Sequence, residues 1–193
     1  MRDIDIRRAL LGKMDHLHGG DPDTLVVQEL GLCQGIARVD VAVVNGSMHG
    51  YEIKSEHDTL FRLPGQTDIY NRTLDFVTVV TASSHANAIR KAVPCWWGIW
   101  KATQKQDGVF LHNLRAARRN PHIDPFALAQ LLWREEALEA LSDLGLAVGL
   151  RSKPREKLWR RLASELSSKE IGDIVRKYLK RRGPAWRSHS LLT

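Results

Sequence analysis

The sequence of 193 residues predicts a mixed α/β core over residues 1–120, followed by a basic, all-helical region over 121–193. Three observations carry that prediction. Short β-branched runs alternate with helix-compatible stretches through the first part. From Pro125 onward the apolar spacing is helical. The charge also changes sign: residues 1–150 hold 16 Lys/Arg against 18 Asp/Glu, whereas residues 151–193 hold 13 against 4, a net of +9.

The elements follow in order. Ile4, Ile6, Leu10, Leu11 and Met14 keep helical spacing and predict a first helix over 3–14. Gly19-Gly20-Asp21-Pro22-Asp23 is a loop, and Leu25-Val26-Val27 begins a β-branched stretch. Ile36–Val44 and Tyr51–Ser55 read as strands, with the Asn45-Gly46 turn signal between them making a hairpin. Residues 66–75 suit a helix, Phe76–Thr81 a further strand, and Ser83–Ala92 a short helix. Trp96–Ala102 and Val109–Leu114 are two more candidate strands. Beyond Pro125, apolar faces are formed by Leu128, Leu131, Leu132, Ala137, Leu138, Leu141 and Leu144, then by Leu158, Leu162 and Leu166, and last by Ile171, Ile174, Val175 and Tyr178. Pro184 is expected to stop the last helix.

Composition excludes several classes. With 43% apolar and 26% charged residues, the chain is neither fibrous nor wholly disordered. No apolar run approaches the ~18 residues of a membrane span. The opening Met1-Arg2-Asp3-Ile4-Asp5 is unlike a signal peptide, and two cysteines are too few for a disulfide framework or zinc cluster. A soluble, cytoplasmic protein is expected. The basic excess points to a polyanion as partner, with a solvated helical face as the alternative.

The chemistry concentrates in the hairpin. With a three-residue loop, Asn45-Gly46-Ser47, residue 44 opposes 48 and Asp40 opposes Glu52. Strand alternation then places Asp40, Glu52 and Lys54 on one face, with Val39, Val41, Val43 and Ile53 in phase on the other. Two carboxylates that close repel unless a cation separates them. A divalent ion such as Mg²⁺ or Mn²⁺ would do so, with Lys54 assisting a metal-bound water. The alternative is a surface salt-bridge cluster on an open sheet face.

Asp40, followed by Glu52-Ile53-Lys54, resembles the signature of the PD-(D/E)XK nuclease superfamily. Gln66-Thr67-Asp68-Ile69-Tyr70 is similar to the QxxxY motif of its exonuclease branch, and i,i+4 spacing puts Gln66 and Tyr70 on one helix face. The resemblance implies a restriction-endonuclease-like αβββαβ mixed-sheet core and a metal-dependent deoxyribonuclease. It implies Asp40, Glu52 and the Ile53 carbonyl as metal ligands, Lys54 serving the water, and Gln66 and Tyr70 positioning the strand to be cut. Glu29, with Asp5 as its rival, would be the upstream acidic residue. Val39 departs from the pattern, standing where the superfamily has Pro. The implied partner is DNA, RNA being equally compatible, and assembly as a homodimer is in keeping with the fold.

Further contacts to DNA are expected from Arg62, from Arg115, Arg118 and Arg119, and from Lys180, Arg181 and Arg182. Leu141–Leu146 with Lys157-Leu158 and Arg161-Leu162 loosely resembles the helix-extended-helix DNA-binding module called SAP. Trp96, Trp97 and Trp100 are expected to pack in the core. The second functional reading is a DNA-binding or regulatory protein that keeps the fold and binds through residues 151–187 without cutting.

Overall fold

Alternation of β-branched residues produces the strands that dominate a computed structural model describing residues 1–183. Pro184 and Arg187 lie outside the described residues. The fold is mixed α/β. Helix α1 (Asp3–His18) precedes β1 (Leu25–Leu32), a single 3-10 turn (Cys33–Gly35), β2 (Ala37–Val44) and β3 (Met48–Lys54). Then come α2 (Leu63–Thr73), β4 (Phe76–Ala82), α3 (Ala86–Ala92), β5 (Gly98–Lys105) and β6 (Gly108–Arg115). The chain continues with α4 (Pro125–Ala129), α5 (Arg134–Asp143), α6 (Arg155–Glu165) and α7 (Ser168–Arg182).

The six strands form one sheet in sequence order. β1, β2 and β3 are antiparallel neighbours, β3–β4 and β4–β5 are parallel, and β5–β6 is antiparallel. The hairpin register is the expected one, with Val44 opposite Met48 and Val41 opposite Tyr51. Asp40 and Glu52 therefore follow immediately beyond the paired residues.

Two apolar layers sandwich the sheet. On one face, Ile6, Leu10 and Met14 of α1 pack with Val41, Val43, Tyr51, Ile53 and Val80. On the other, Ile69, Tyr70 and Leu74 meet Leu30, Leu32, Val39, Ala42 and Val44. Val39 thus departs from the expected phase with Val41 and Val43. The β1–β2 ladder pairs Gln28 with Val41 and Leu30 with Val39 but skips Glu29, whose φ of +56° puts it in the left-handed region. Strict alternation breaks there.

The helical region is no appendage. Leu128, Leu141, Leu158, Val175 and Tyr178 belong to the same apolar cluster as Leu30 and Val39. Polar ties reinforce the junction. Arg176 pairs with buried Asp75 at 3.5 Å, and Arg72 of α2 pairs at 2.8 Å with Asp124, which caps α4. Apolar residues on both sides of the expected boundary near residue 120 thus belong to one cluster.

Candidate functional site

Glu52 and Lys54 sit two residues apart on β3, so both project toward α2. Their side chains are each 4% exposed. The Lys54 Nζ donates to Glu52 Oε1 at 2.7 Å and to Gln66 Oε1 at 3.0 Å. The Gln66 Nε2 donates to the same Glu52 oxygen at 2.6 Å. Tyr70, one helical turn on, donates its hydroxyl to Glu52 Oε2 at 2.6 Å and lies 2.8 Å from the Arg38 carbonyl. Burial first, and the Glu52 charge second, push the Tyr70 hydroxyl pKa well above its ordinary value, so Tyr70 stays a donor. Its ring stacks 5.9 Å from that of Trp97, whose indole donates to Asn71.

Asp40 has other partners. Its Oδ2 accepts from the Ile53 N–H at 2.7 Å. Its Oδ1 accepts from Arg7 at 2.8 Å, and Arg7 also donates to the Asp40 carbonyl at 3.2 Å. The same guanidinium pairs with Glu29 at 3.0 Å and Asp3 at 3.2 Å. Arg7 is therefore the cation shared by Asp40, Glu29 and Asp3, while Lys54 pairs with Glu52. Burial first, then the Glu52 charge, push the Asp40 carboxyl up to about 7 despite the opposing pull of Arg7.

The expected residues Asp40, Glu52, Lys54, Gln66 and Tyr70 thus come together, and Glu29 joins them through Arg7. Asp5 does not, since its carboxylate accepts from the Arg2 N–H at the start of its own helix. Arg7 was not among the expected residues. Its signal was the Asp3–Arg7 spacing of i,i+4 beside the buried Ile6 and Leu10.

The donor set does not fit the expected Mg²⁺ or Mn²⁺ as it stands. Each oxygen of Asp40 and Glu52 already accepts a hydrogen bond, and Ile53 faces Asp40 with its N–H. Among the described residues, no three His, Cys, Asp or Glu side chains group as a metal site.

Most of the expected DNA-contacting cations meet polar partners within the chain. Arg115 donates to the Trp97 and Pro94 carbonyls, and Arg119 pairs with Asp75. Lys180 lies 3.7 Å from Asp23, Arg181 pairs with Glu139 at 2.8 Å, and Arg182 is buried against Glu136 and the Leu131 carbonyl. Of this triplet, only the Arg182 guanidinium is buried, tying α7 to α5, whereas Arg181 and its Glu139 partner lie at the surface. Arg62 and Arg118 are exposed.

A second basic surface lies on the connection between α5 and α6 and on α6 itself. Residues 144–165 carry six basic and two acidic residues. Arg151, Lys153 and Lys157 are exposed and, among the described residues, pair with no carboxylate. Gly145 (φ +72°) and Gly149 (φ +73°) let the connection turn where other residues would be strained. The connection lines an open cleft with Val148, Arg151 and Ser152.

A family model described as Bacteriophage P4 protein cII matches residues 2–191. Protein cII of Enterobacteria phage P4 is 25% identical over 182 residues, which cover 94% of this chain and 68% of that protein. No solved structure matches. These findings overturn the resemblance to the PD-(D/E)XK superfamily, because the matching family is that of protein cII and is not a nuclease family. The reading as a metal-dependent nuclease, endonuclease or other hydrolase of DNA falls with it.

Proposed function

The chain belongs to the bacteriophage P4 protein cII family, and from that premise we propose that it is a DNA-binding regulatory protein that acts by occupying DNA, without hydrolysing it. The observation that carries this reading is the set of exposed cations Arg151, Lys153 and Lys157 on the α5–α6 unit, which pair with no carboxylate among the described residues. Lys and Arg side chains free of carboxylates displace condensed counterions from phosphates and give affinity without sequence preference. Arg160 and Arg161 add to the same surface, since their pairs with Glu156 and Glu165 are exposed and weak. Between α5 and α6 the connection is a run of turns, so only the helix–connection–helix order agrees with the SAP-like resemblance. Arg62 and Arg118 are secondary contacts in this proposal.

The pocket under α2 supports the same reading. Its Lys54, Glu52, Gln66 and Tyr70 satisfy one another, and Arg7 donates to Asp40. The restriction-endonuclease-like order of the core enters this proposal as architecture alone, and the cytoplasm is the compartment it assumes. Among the described residues, no helix is long and apolar enough to cross a membrane.

Fluorescence anisotropy of labelled duplex DNA over a salt series tests the proposal. Each phosphate contact contributes about 0.9 to the slope of log affinity against log salt, so Arg151→Ala/Lys153→Ala/Lys157→Ala should flatten it by roughly 2–3. An RNA duplex of the same sequence serves as the competing substrate. With Mg²⁺, supercoiled plasmid should be shifted in a gel and remain supercoiled. Failure of the wild type to bind DNA, or an unchanged slope in the variant, would sink the reading.

A further inference from the structure

Among the described residues, left-handed backbone at non-glycine positions occurs at Glu29, Cys33 and Gln34, and the last two are adjacent. Cys33 (φ +47°), Gln34 (φ +60°, ψ +30°) and Gly35 (φ +86°) close the β1–β2 hairpin beyond its last pair, Leu32 with Ala37. A Cβ disfavours this conformation, and hairpin turns that need it ordinarily take Asn, Asp or Gly. Packing accounts for Cys33, whose side chain is buried in the core. It does not account for Gln34, which is exposed. Strain kept at a position with no packing role points to a role in binding.

The turn adjoins the basic surface. Arg155 Nη2 donates to Gln34 Oε1 at 2.6 Å, and Arg155 stands between Lys153 and Lys157 at the start of α6. Like those two lysines, Arg155 pairs with no carboxylate among the described residues. Its bond occupies one lone pair of the Gln34 carbonyl. The amide nitrogen of Gln34 has no partner among the described residues. Ile36, two residues on, is 78% exposed.

We propose that this turn enters the major groove of the duplex held by the α5–α6 unit, where Gln34 reads an adenine and Ile36 the methyl group of a thymine. The inference rests on the DNA-binding reading and adds base selection to it. The major groove admits a two-stranded β-ribbon, whereas the minor groove is about half as wide. A Gln amide matches adenine, its oxygen accepting from N6 and its nitrogen donating to N7. The lone pair that Arg155 leaves free suffices for the first of these bonds. An aliphatic side chain is suited to the thymine methyl. Two residues span at most about 7 Å, close to two base-pair steps, so one short run of A·T pairs satisfies both side chains. Arg151, Lys153 and Lys157 then position the duplex through its phosphates, and the turn supplies the preference.

Selection of bound duplexes from a randomised pool by the full chain tests this, followed by anisotropy on the selected sequence and a scrambled one. The wild type should select a site containing A·T pairs and prefer it over the scrambled duplex by roughly tenfold or more. Replacing the selected thymines by uracil, or the adenines by an analogue with carbon in place of N7, should remove most of that preference. Gln34→Gly/Ile36→Ser should lose it too, while keeping the wild-type salt slope and affinity for scrambled duplex. Glycine suits the left-handed position, so the fold is kept, which circular dichroism checks. A wild type that binds both duplexes equally, or selects G·C pairs alone, overturns this inference and leaves the DNA-binding reading standing. One that binds neither duplex overturns both. A variant that retains the preference, or a preference indifferent to both base analogues, overturns the turn as the reading element.

Discussion

Arg7 holds together three carboxylates of the site, of which only Glu29 also reaches a second cation, Arg38, among the described residues. Its guanidinium bridges the Asp40 side chain and carbonyl, Glu29 and Asp3. Arg7→Ala leaves Asp40 largely buried beside Glu52 with no cation, and hydrogen bonds to charged groups are worth about 1.5–3 kcal/mol. The expected loss is about 2 kcal/mol in urea unfolding. Arg7→Lys should recover only part of it, since a point charge cannot span the same fork of acceptors. Asp40 also predicts a pH dependence. Burial and the Glu52 charge raise its carboxyl from the ordinary 3.8 to about 7, so the folded state holds the proton more tightly than the unfolded one. Its contribution is full below about 4 and is lost as pH rises to about 7. Melting temperatures of wild type and Asp40→Asn should therefore diverge in the variant's favour from pH 4 to 7, then run parallel. Divergence in the opposite sense would contradict the assignment.

At the scale of elements, β3 and α2 approach closely because Gly50 has no side chain. A Cβ there would lie 2.5 Å from Leu74 Cδ1 and 3.1 Å from Val39 Cγ2, both in fully buried side chains. Gly50→Ala should cost about 1–3 kcal/mol, as overpacked cores do. It should also tilt β3 enough to disturb the hydrogen bonds of Glu52 two residues on. Thermal unfolding gives the cost, and a wild-type melting temperature would show that the two elements separate freely. What could be read in advance follows from the same local rules. The hairpin register was legible because the Asn45-Gly46 turn and the alternation agree. The convergence of Glu52, Lys54, Gln66 and Tyr70 was legible from spacings of 2 and 4 on a strand and a helix. The flip of Val39 was not, because it depends on a left-handed Glu29, a conformation glutamate seldom adopts. Nor were the fates of Lys180, Arg181 and Arg182, whose carboxylates come from Asp23, Glu139 and Glu136, distant in sequence. The nuclease-like spacing misled for a similar reason: the cation that meets Asp40 comes from a helix 33 residues upstream.

Across the whole molecule, the sheet and the C-terminal helices bury one another. Leu30, Leu32, Val39 and Val44 from the first two strands share a cluster with Leu128, Leu141, Val175 and Tyr178. Asp75 sits at the seam. It accepts from the Met48 N–H at 2.8 Å, pairs with Arg119 and Arg176, and receives the Asn120 N–H on its carbonyl. Asn120 in turn donates to the Asn71 and Leu74 carbonyls, closing the end of α2. A chain cut after residue 120 would expose that sheet face and leave Asp75 without Arg176, so residues 1–120 should not fold alone. The uncut chain should melt in one transition, its calorimetric and van't Hoff enthalpies agreeing as in a cooperative unit. The fragment should show weak near-ultraviolet circular dichroism and bind hydrophobic dye, because its core lacks one wall. Two resolved transitions in the uncut chain, or a fragment with a sharp melt of its own, would restore the boundary near residue 120. Cooperativity also bears on DNA binding. If the α5–α6 unit shares its core with the sheet, DNA held at Arg151 and Lys153 stabilises every element at once. Saturating duplex should then raise the single melting transition as a whole, by mass action on the folded state.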